Sequence, residues 1–348
     1  VLRASMEKCI KDIEYTNNNY KHVSKKLLIT GASGFVGYHL IQTALHEGYE
    51  VYAGVRNSSS IEHLQHLPIK YTTLAFGSVD DLKKNIEENK YNYIIHAAGT
   101  TKAKSEQEYN EINALYTTNL ANAAASFDLK KFAFISSLAA LGPTYYRDKN
   151  PINETYLPKP VTSYGRSKLL AERWISNIKN LPLIILRPTA VYGPREKDIL
   201  VMLKALNKGF EPYIGRRNQY LSFVYVKDLA NIAIRSLSSP SNRDIYNISD
   251  GKAYDRYELA NIAKQLLSKK TVKIHVPTSI VKIIADVIEA ASGNSAPLLN
   301  REKLNELTAE NWSCSIAKAR HHLQYEPKYD LQSGLEETLN WYQEHNWL

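Results

Sequence analysis

From Lys25 onward the chain alternates two hydrophobic patterns: short unbroken apolar runs, and longer stretches in which apolar side chains return every three or four positions. Lys26 to Thr30 reads as a short buried strand, and Phe35, Val36, Leu40, Ile41 and Leu45 recur at helical spacing directly after it. The same pattern predicts strands at Glu50–Val55, Ile69–Leu74, Tyr93–Ala97, Lys131–Ile135 and Leu183–Arg187. Between them fall helices at Ile61–Leu67, Asp80–Glu88, Glu106–Phe127 and Tyr164–Asn180. Such alternation predicts an α/β fold, a doubly wound parallel sheet covered on both faces, with ligands at the carboxyl ends of its strands. Beyond Tyr192 the elements lose regularity and loops rich in Gly, Pro, Tyr and Arg appear.

Gly31, Gly34 and Gly37 stand between the first strand and the first helix. A turn of this kind aims backbone N–H groups and the positive helix end, at Phe35 and Val36, at an anion. Gly31 would permit the tight turn, Gly34 the close approach of a pyrophosphate, and Gly37 the contact of helix on strand. The ligand this predicts is a dinucleotide. Residues 25–190 are therefore read as the dinucleotide-binding domain, with 223–250 returning to it, and 191–222 and 251–348 as a smaller substrate-binding region. Residues 1–24 are polar, Asn-rich and without sustained periodicity, and read as an extension outside the core, with Met6 as a candidate start.

Composition narrows the function. At 348 residues the chain can bury a large core. Its two cysteines, Cys9 and Cys314, make neither a disulfide framework nor a metal-ligand set, which points to a reducing cytoplasm. The longest apolar stretches are strand-sized or broken by charge, so no membrane span is expected. The formal charge of +9 is scattered among acidic neighbours, which argues against nucleic acid and for a modest attraction to anionic small molecules.

The strand ending at Ile135 delivers SSLAALG, and the helix after a Pro-containing loop opens with YGRSKLLAER. Tyr164 and Lys168 are four apart and share a helix face. An adjacent ammonium and a cationic nicotinamide could lower a phenol pKa by about three units, roughly 4 kcal/mol of differential stabilisation. Tyr164 would then be a working acid/base, with a strand-end Ser hydroxyl holding the substrate oxygen while nicotinamide moves hydride.

At this point the chain resembles the extended short-chain dehydrogenase/reductases, the NAD(P)-dependent epimerase/dehydratase superfamily with its Rossmann fold. The resemblance runs from Lys25 to the C-terminus. It rests on the glycine turn, HAAG at 96–99, Asn113, Ser137, the Tyr164 and Lys168 pair, RPTAVYGP from Arg187 and FVYVKDLA from Phe223. It implies that Ser137, Tyr164 and Lys168 form the catalytic triad, that Lys168 also holds the nicotinamide ribose, and that Ala97, Ala98 and Gly99 line the cofactor. Ser137 is chosen over Ser136 because it stands five residues before Gly142. Asn113 and Pro188 are expected beside the cofactor and Tyr192 beside the substrate, whereas Asp228 reads as a structural first-turn acid. The helices 106–127 and 164–180 are the family's usual dimer surface, so a homodimer is expected.

Finer features bear on cofactor and substrate. The second strand ends in VRNSSS with no acid, so Arg56 is expected to clamp the 2′-phosphate of NADP(H), NAD(H) being the alternative. Ser78 stands where relatives often carry an Asp for the adenine. Leu138 and Ala139 replace the acidic pair of sugar 4,6-dehydratases, and no Cys is near the triad in sequence, which leaves hydride chemistry at a carbinol or ketone. Nucleotide-sugar enzymes usually place an Arg before FVYV, where this chain has Leu221 and Ser222; Arg216 and Arg217 could compensate. The LSFVYV form resembles the hydroxysteroid and flavonol-type reductases, with nucleotide-sugar 4-epimerisation as the alternative. The intact Tyr and Lys argue against a non-catalytic NADP-binding redox sensor. Finally, Ile280, Ile283, Ile284, Val287 and Ile288 form one apolar stripe within residues 277–293, read as a helix packed on the C-terminal core or as a lid over a lipophilic substrate.

Overall fold

In β1 (Lys26–Thr30) every position after the first is buried, and successive side chains enter opposite sides of a sheet. Leu27 and Ile29 join one core, Leu28 the other. The strand lies inside a seven-stranded sheet, paired on both edges, in this computed structural model, which describes residues 25–148, 150–291 and 300–348. The expected N-terminal extension, with Met6 and Cys9, lies outside the described residues.

The strands β2 (Glu50–Val55), β3 (Lys70–Thr73), β4 (Tyr93–His96), β5 (Lys131–Ile135), β6 (Leu183–Pro188) and β11 (Arg243–Ile248) flank β1 in the order β11-β6-β5-β4-β1-β2-β3. All pairs are parallel. On one face lie α1 (Phe35–His46) and α7 (Val226–Ser236), through Leu40, Ile41, Leu229 and Ala233. On the other lie α2 (Val79–Asn89), α4 (Tyr116–Ala124) and α5 (Ser163–Ser176), through Leu82, Ile86, Leu120, Ala171 and Ile175. The strand order reverses between β1 and β4, and a crevice forms there at the carboxyl ends.

Two expected helices differ. Ile61–Leu67 is only a single 3₁₀ turn, Glu62–Leu64, because Pro68 disfavours helical backbone just before it. The helix expected over 106–127 is α3 (Glu106–Asn110) and α4 joined by a π-helical turn, Glu111–Leu115, which contains Asn113. Such bulges re-aim a side chain out of the regular helical register.

The smaller region contains three two-stranded ribbons: β7 (Ala190–Tyr192) with β10 (Phe223–Tyr225), β8 (Phe210–Ile214) with β13 (Val272–Val276), and β9 (Tyr220–Leu221) with β12 (Tyr254–Asp255). Leu203, Leu206, Ala260, Ala263, Leu339 and Tyr342 pack α6 (Asp198–Asn207), α8 (Glu258–Leu267) and α12 (Leu331–Glu344) together. The helix α9 (Thr278–Ala291) corrects one expectation. It packs inward through Val281 and Ala285, whereas Ile280, Ile283, Ile284 and Val287 are exposed. Adjacent to it, α10 (Arg301–Thr308) is held by the Arg301–Asp286 ion pair, at 2.7 Å. Among the described residues no helix is long and apolar enough to cross a membrane.

Candidate active site

Gly31 has φ +69°, and a Cβ there would stand 2.7 Å from the Ala97 carbonyl oxygen, so only glycine makes this turn. A Cβ on Gly37 would collide with the Gly31 carbonyl, which is how α1 approaches β1 so closely. Gly34, the N-cap of α1, is different. Its added Cβ would meet only the Gly31 oxygen, at 3.2 Å, and the space beyond is open at the helix N-terminus that begins with Phe35 and Val36. The cradle fits a pyrophosphate.

The loop after β4 faces this turn and is fixed from behind by a directed hydrogen-bond chain. The Ala98 N–H donates to Thr30 Oγ1 at 3.1 Å, so the Thr30 hydroxyl hydrogen goes to His96 Nδ1, 2.7 Å away. His96 Nε2 then carries the proton and donates to Thr117 Oγ1, 2.9 Å away, whose hydrogen goes to the Asn113 carbonyl. Burial holds His96 neutral, pushing its pKa down to about 3. Asn113 spends its side chain inside the protein: Oδ1 accepts from the Thr100 N–H at 2.8 Å, and Nδ2 donates to the Thr100 carbonyl and to Ser167 Oγ. It braces the cofactor loop rather than facing outward from it.

Ser137 follows β5 in extended backbone, and its Oγ accepts from the Ala139 N–H at 3.1 Å. The Tyr164 phenol lies close enough to this serine for the Ser137 hydroxyl to favour the phenolate. Ser136 points elsewhere, donating to Glu172 Oε1 at 2.5 Å, where Glu172 also holds Arg187 in a buried, two-pronged ion pair. Thr162 caps α5 by accepting from the Gly165 N–H, and Gly165 lets the helix lie against the Ala139 carbonyl. That contact sets Tyr164 beside Ser137. Lys168, one turn on, is buried and donates to the Ile135 carbonyl at 3.0 Å, with Nζ 3.3 Å from where a Gly99 Cβ would be. Ser137, Tyr164, Lys168 and the Ala97–Gly99 loop thus converge.

The electrostatics depart from the expected lowering of the tyrosine. Burial pushes Tyr164 up to about 12, partly opposed by the nearby Ser137 hydroxyl, and pushes Lys168 down to about 8 against the attraction of Glu172. Desolvation outweighs the ammonium because Lys168 is turned to a backbone carbonyl. At neutral pH the phenol keeps its proton and is set as a donor.

Around this centre, Glu302 of α10 accepts from the Ser163 N–H and Oγ at 2.6 and 2.9 Å and pairs with Arg166, which also pairs with Glu106. The Tyr109 ring lies 6.5 Å from that of Tyr164, edge-on. Arg56 is exposed at the end of β2, its N–H donating to Ser59 Oγ. Ser78 caps α2 by accepting from the Asp81 N–H, and Pro188 ends β6 in the core. Arg216 is exposed; Arg217 pairs with Glu310 at 3.3 Å. The expectation for Tyr192 fails. Its ring is buried among Phe223, Tyr225 and Leu335 and its hydroxyl donates to the Asp330 carbonyl, leaving nothing for a substrate. Asp228 is structural, accepting from the Lys328 and Tyr329 N–H groups. Cys314, remote in sequence, packs in the apolar cluster of Leu138, but burial raises its thiol pKa well above the ordinary range.

Sequence reasoning missed Thr30, Thr117 and Glu172, and took His96 and Arg187 only as members of motifs, without their partners. Thr30, Thr117 and Glu172 are buried polar side chains whose only signal was a polar residue where the periodicity called for an apolar one.

A doubly wound parallel sheet with a glycine cradle and a Ser, Tyr, Lys cluster at its switch point defines a dinucleotide-dependent enzyme fold. The model of the NAD dependent epimerase/dehydratase family matches residues 27–249, and the chain belongs to this family. It is an NAD(P)-dependent enzyme of the extended short-chain type. It is 27% identical to the decarboxylating sterol-4-alpha-carboxylate 3-dehydrogenase of Dictyostelium discoideum, over 90% of this chain and 99% of that one. It is 25% identical to a putative UDP-glucose 4-epimerase of Methanocaldococcus jannaschii, over 92% and 99%. The crystal structure of UDP-glucuronic acid 4-epimerase from Bacillus cereus in complex with NAD shares the fold, with a TM-score of 0.73 at 22% identity, over 92% and 99% of the two chains.

Proposed function

We propose that this protein is an oxidoreductase that transfers hydride at a carbinol or ketone of a small organic substrate. The observation that carries this is Tyr164 set beside Ser137, whose hydroxyl acts on the phenol, with buried Lys168 one helical turn away. A bound nicotinamide would supply or accept the hydride. Gly31, Gly34 and Gly37 would hold the pyrophosphate with the Phe35 and Val36 N–H groups, Lys168 the ribose, and Ala97 to Gly99 one wall. Ser137 orients the substrate oxygen, and Tyr164 gives or takes its proton. Leu138 and Ala139 are buried and carry no acid for eliminating water, and the buried thiol of Cys314 is poorly suited to carry protons.

An apolar substrate of the hydroxysteroid or flavonol type is favoured by Leu221 and Ser222 before β10, and by the similarity to a sterol dehydrogenase. Ser222 is buried and donates to the Lys252 carbonyl, so it offers no phosphate site. The second reading is nucleotide-sugar 4-epimerisation. It is favoured by the exposed Arg216, on a loop that Gln219 ties to the end of α10, and by the similarity to a putative epimerase. NADP(H) is the proposed preference, because Arg56 and not an acid ends β2. The proposed homodimer would use α3 to α5, where Leu115 and Trp174 are exposed. The low cysteine count suits a reducing cytoplasm.

A thermal-shift titration of the NADP-saturated protein separates the two readings, since a ligand of the native state raises the midpoint. A rise with a 3β-hydroxysterol and not with UDP supports the oxidoreductase, to be followed by nicotinamide absorbance with that compound. A rise with UDP alone transfers the assignment to the epimerase.

A further inference from the structure

Two exposed apolar faces follow one another along the chain of the smaller region. In the parallel ribbon of β8 and β13, Phe210 pairs with Val272 and Pro212 with Ile274, placing these four on one side. Phe210 and Val272 are 54% and 67% exposed, and Ile274 is exposed as well. The opposite side of the ribbon is turned inward by Glu211, which Lys264 holds at 2.8 Å. The ribbon ends at Val276, and α9 begins at Thr278, whose Oγ1 lies against Gly215 at the end of β8.

Around the axis of α9 the residues divide into three sectors at 100° per position. Val281 and Ala285 face the protein; Lys282, Asp286 and Glu289 form a polar edge, with Asp286 tied to Arg301; Ile280, Ile283, Ile284 and Val287 face outward, Ile283 and Val287 at 64% and 62% exposed. Stable monomers seldom leave so many large aliphatic side chains open to water in one region. Charge indicates the occupant. Between Leu259 and Ala285 the chain carries five lysines and no acid; Lys264 and Lys273 pair with Glu211 on the opposite side of the ribbon, and Lys269, Lys270 and Lys282 are exposed. Apolar side chains bordered by lysines, whose alkyl stems can lie on the same surface while the ammonium groups reach outward, match an anionic lipid interface.

We propose that the outer face of α9, together with the Phe210, Val272 and Ile274 side of the ribbon, docks the protein on an anionic lipid surface. The face lies outside the catalytic cluster and stands whatever the substrate proves to be. Through α10, whose Glu302 binds Ser163 next to Tyr164, the docked surface adjoins the substrate side of the site.

The full chain is sedimented with vesicles of phosphatidylcholine alone and of phosphatidylcholine with phosphatidylglycerol. Cosedimentation is expected with the anionic vesicles, weakening as salt is raised. The double variant Ile283→Glu, Val287→Glu should lose about tenfold in lipid partitioning, and Lys269→Glu, Lys270→Glu should selectively lose the anionic preference. Both pairs of substitutions lie at exposed positions, so an unchanged melting temperature is the control for folding. No cosedimentation of the unaltered protein with anionic vesicles, or equal binding by the Ile283→Glu, Val287→Glu variant, overturns the proposal. So does light scattering that shows a larger assembly broken by that variant without any lipid binding, which would make the face a contact between copies.

Discussion

Tyr164→Phe removes one oxygen and, with it, the proposed proton donor beside Ser137. Turnover should fall by about 10²- to 10⁴-fold while nicotinamide binding and the melting temperature hold, as steady-state kinetics beside a thermal scan would show. The adjacent serines separate function from packing. Ser137→Ala should lower turnover with little effect on stability, whereas Ser136→Ala takes a partner from buried Glu172 and should cost about 1–3 kcal/mol in denaturant unfolding. The glycines divide in the same way: Gly37→Ala should destabilise the fold, and Gly34→Ala should mainly weaken cofactor binding in a fluorescence titration. The spacing of Tyr164 and Lys168 was legible in the sequence because four residues make one helical turn. Their protonation was not, because it depends on burial, and burial is contributed by β5 and the loops that close over α5.

At the scale of elements, β4 and the π-helical turn of Asn113 act together through His96. The histidine pKa is about 3 in the folded chain and 6.5 unfolded, so only the unfolded chain takes up its proton as the pH falls below 6.5. Its contribution to stability is present above pH 6.5 and declines as the pH falls toward 3. His39, buried on α1 and held near 4 by burial, acts in the same direction. Each should cost about 2 kcal/mol between pH 6.5 and 5, and His96→Asn should flatten the dependence of the melting temperature on pH over that range. The strands and helices of the sheet were predictable because each carries its own apolar period. The π turn was not, because the partners of Asn113 are Thr100 and Ser167, on the β4 loop and α5. The stripe on α9 was read correctly as amphipathic, but its direction was decided by which side of the helix the rest of the chain offered a surface to.

For the whole molecule, the proposed cofactor choice and assembly are open to direct measurement. Arg56→Ala should weaken NADP binding by about tenfold or more and leave NAD binding nearly unchanged, since only NADP presents a 2′-phosphate to that guanidinium. Light scattering should report twice the chain mass, with Trp174→Glu shifting it toward the monomer, because that tryptophan is exposed on α5. By itself the sequence determined the alternation of elements, the glycine turn and the placing of Tyr164 and Lys168 on one helix face, because these depend on residues close together along the chain. The tertiary structure alone decided that Tyr192 is core, that Asn113 braces the loop after β4, and that Glu302 reaches across to the start of α5. Those outcomes depend on residues far apart in sequence. A side chain's neighbours, and with them its burial, charge state and hydrogen bonds, exist only once the layers have packed.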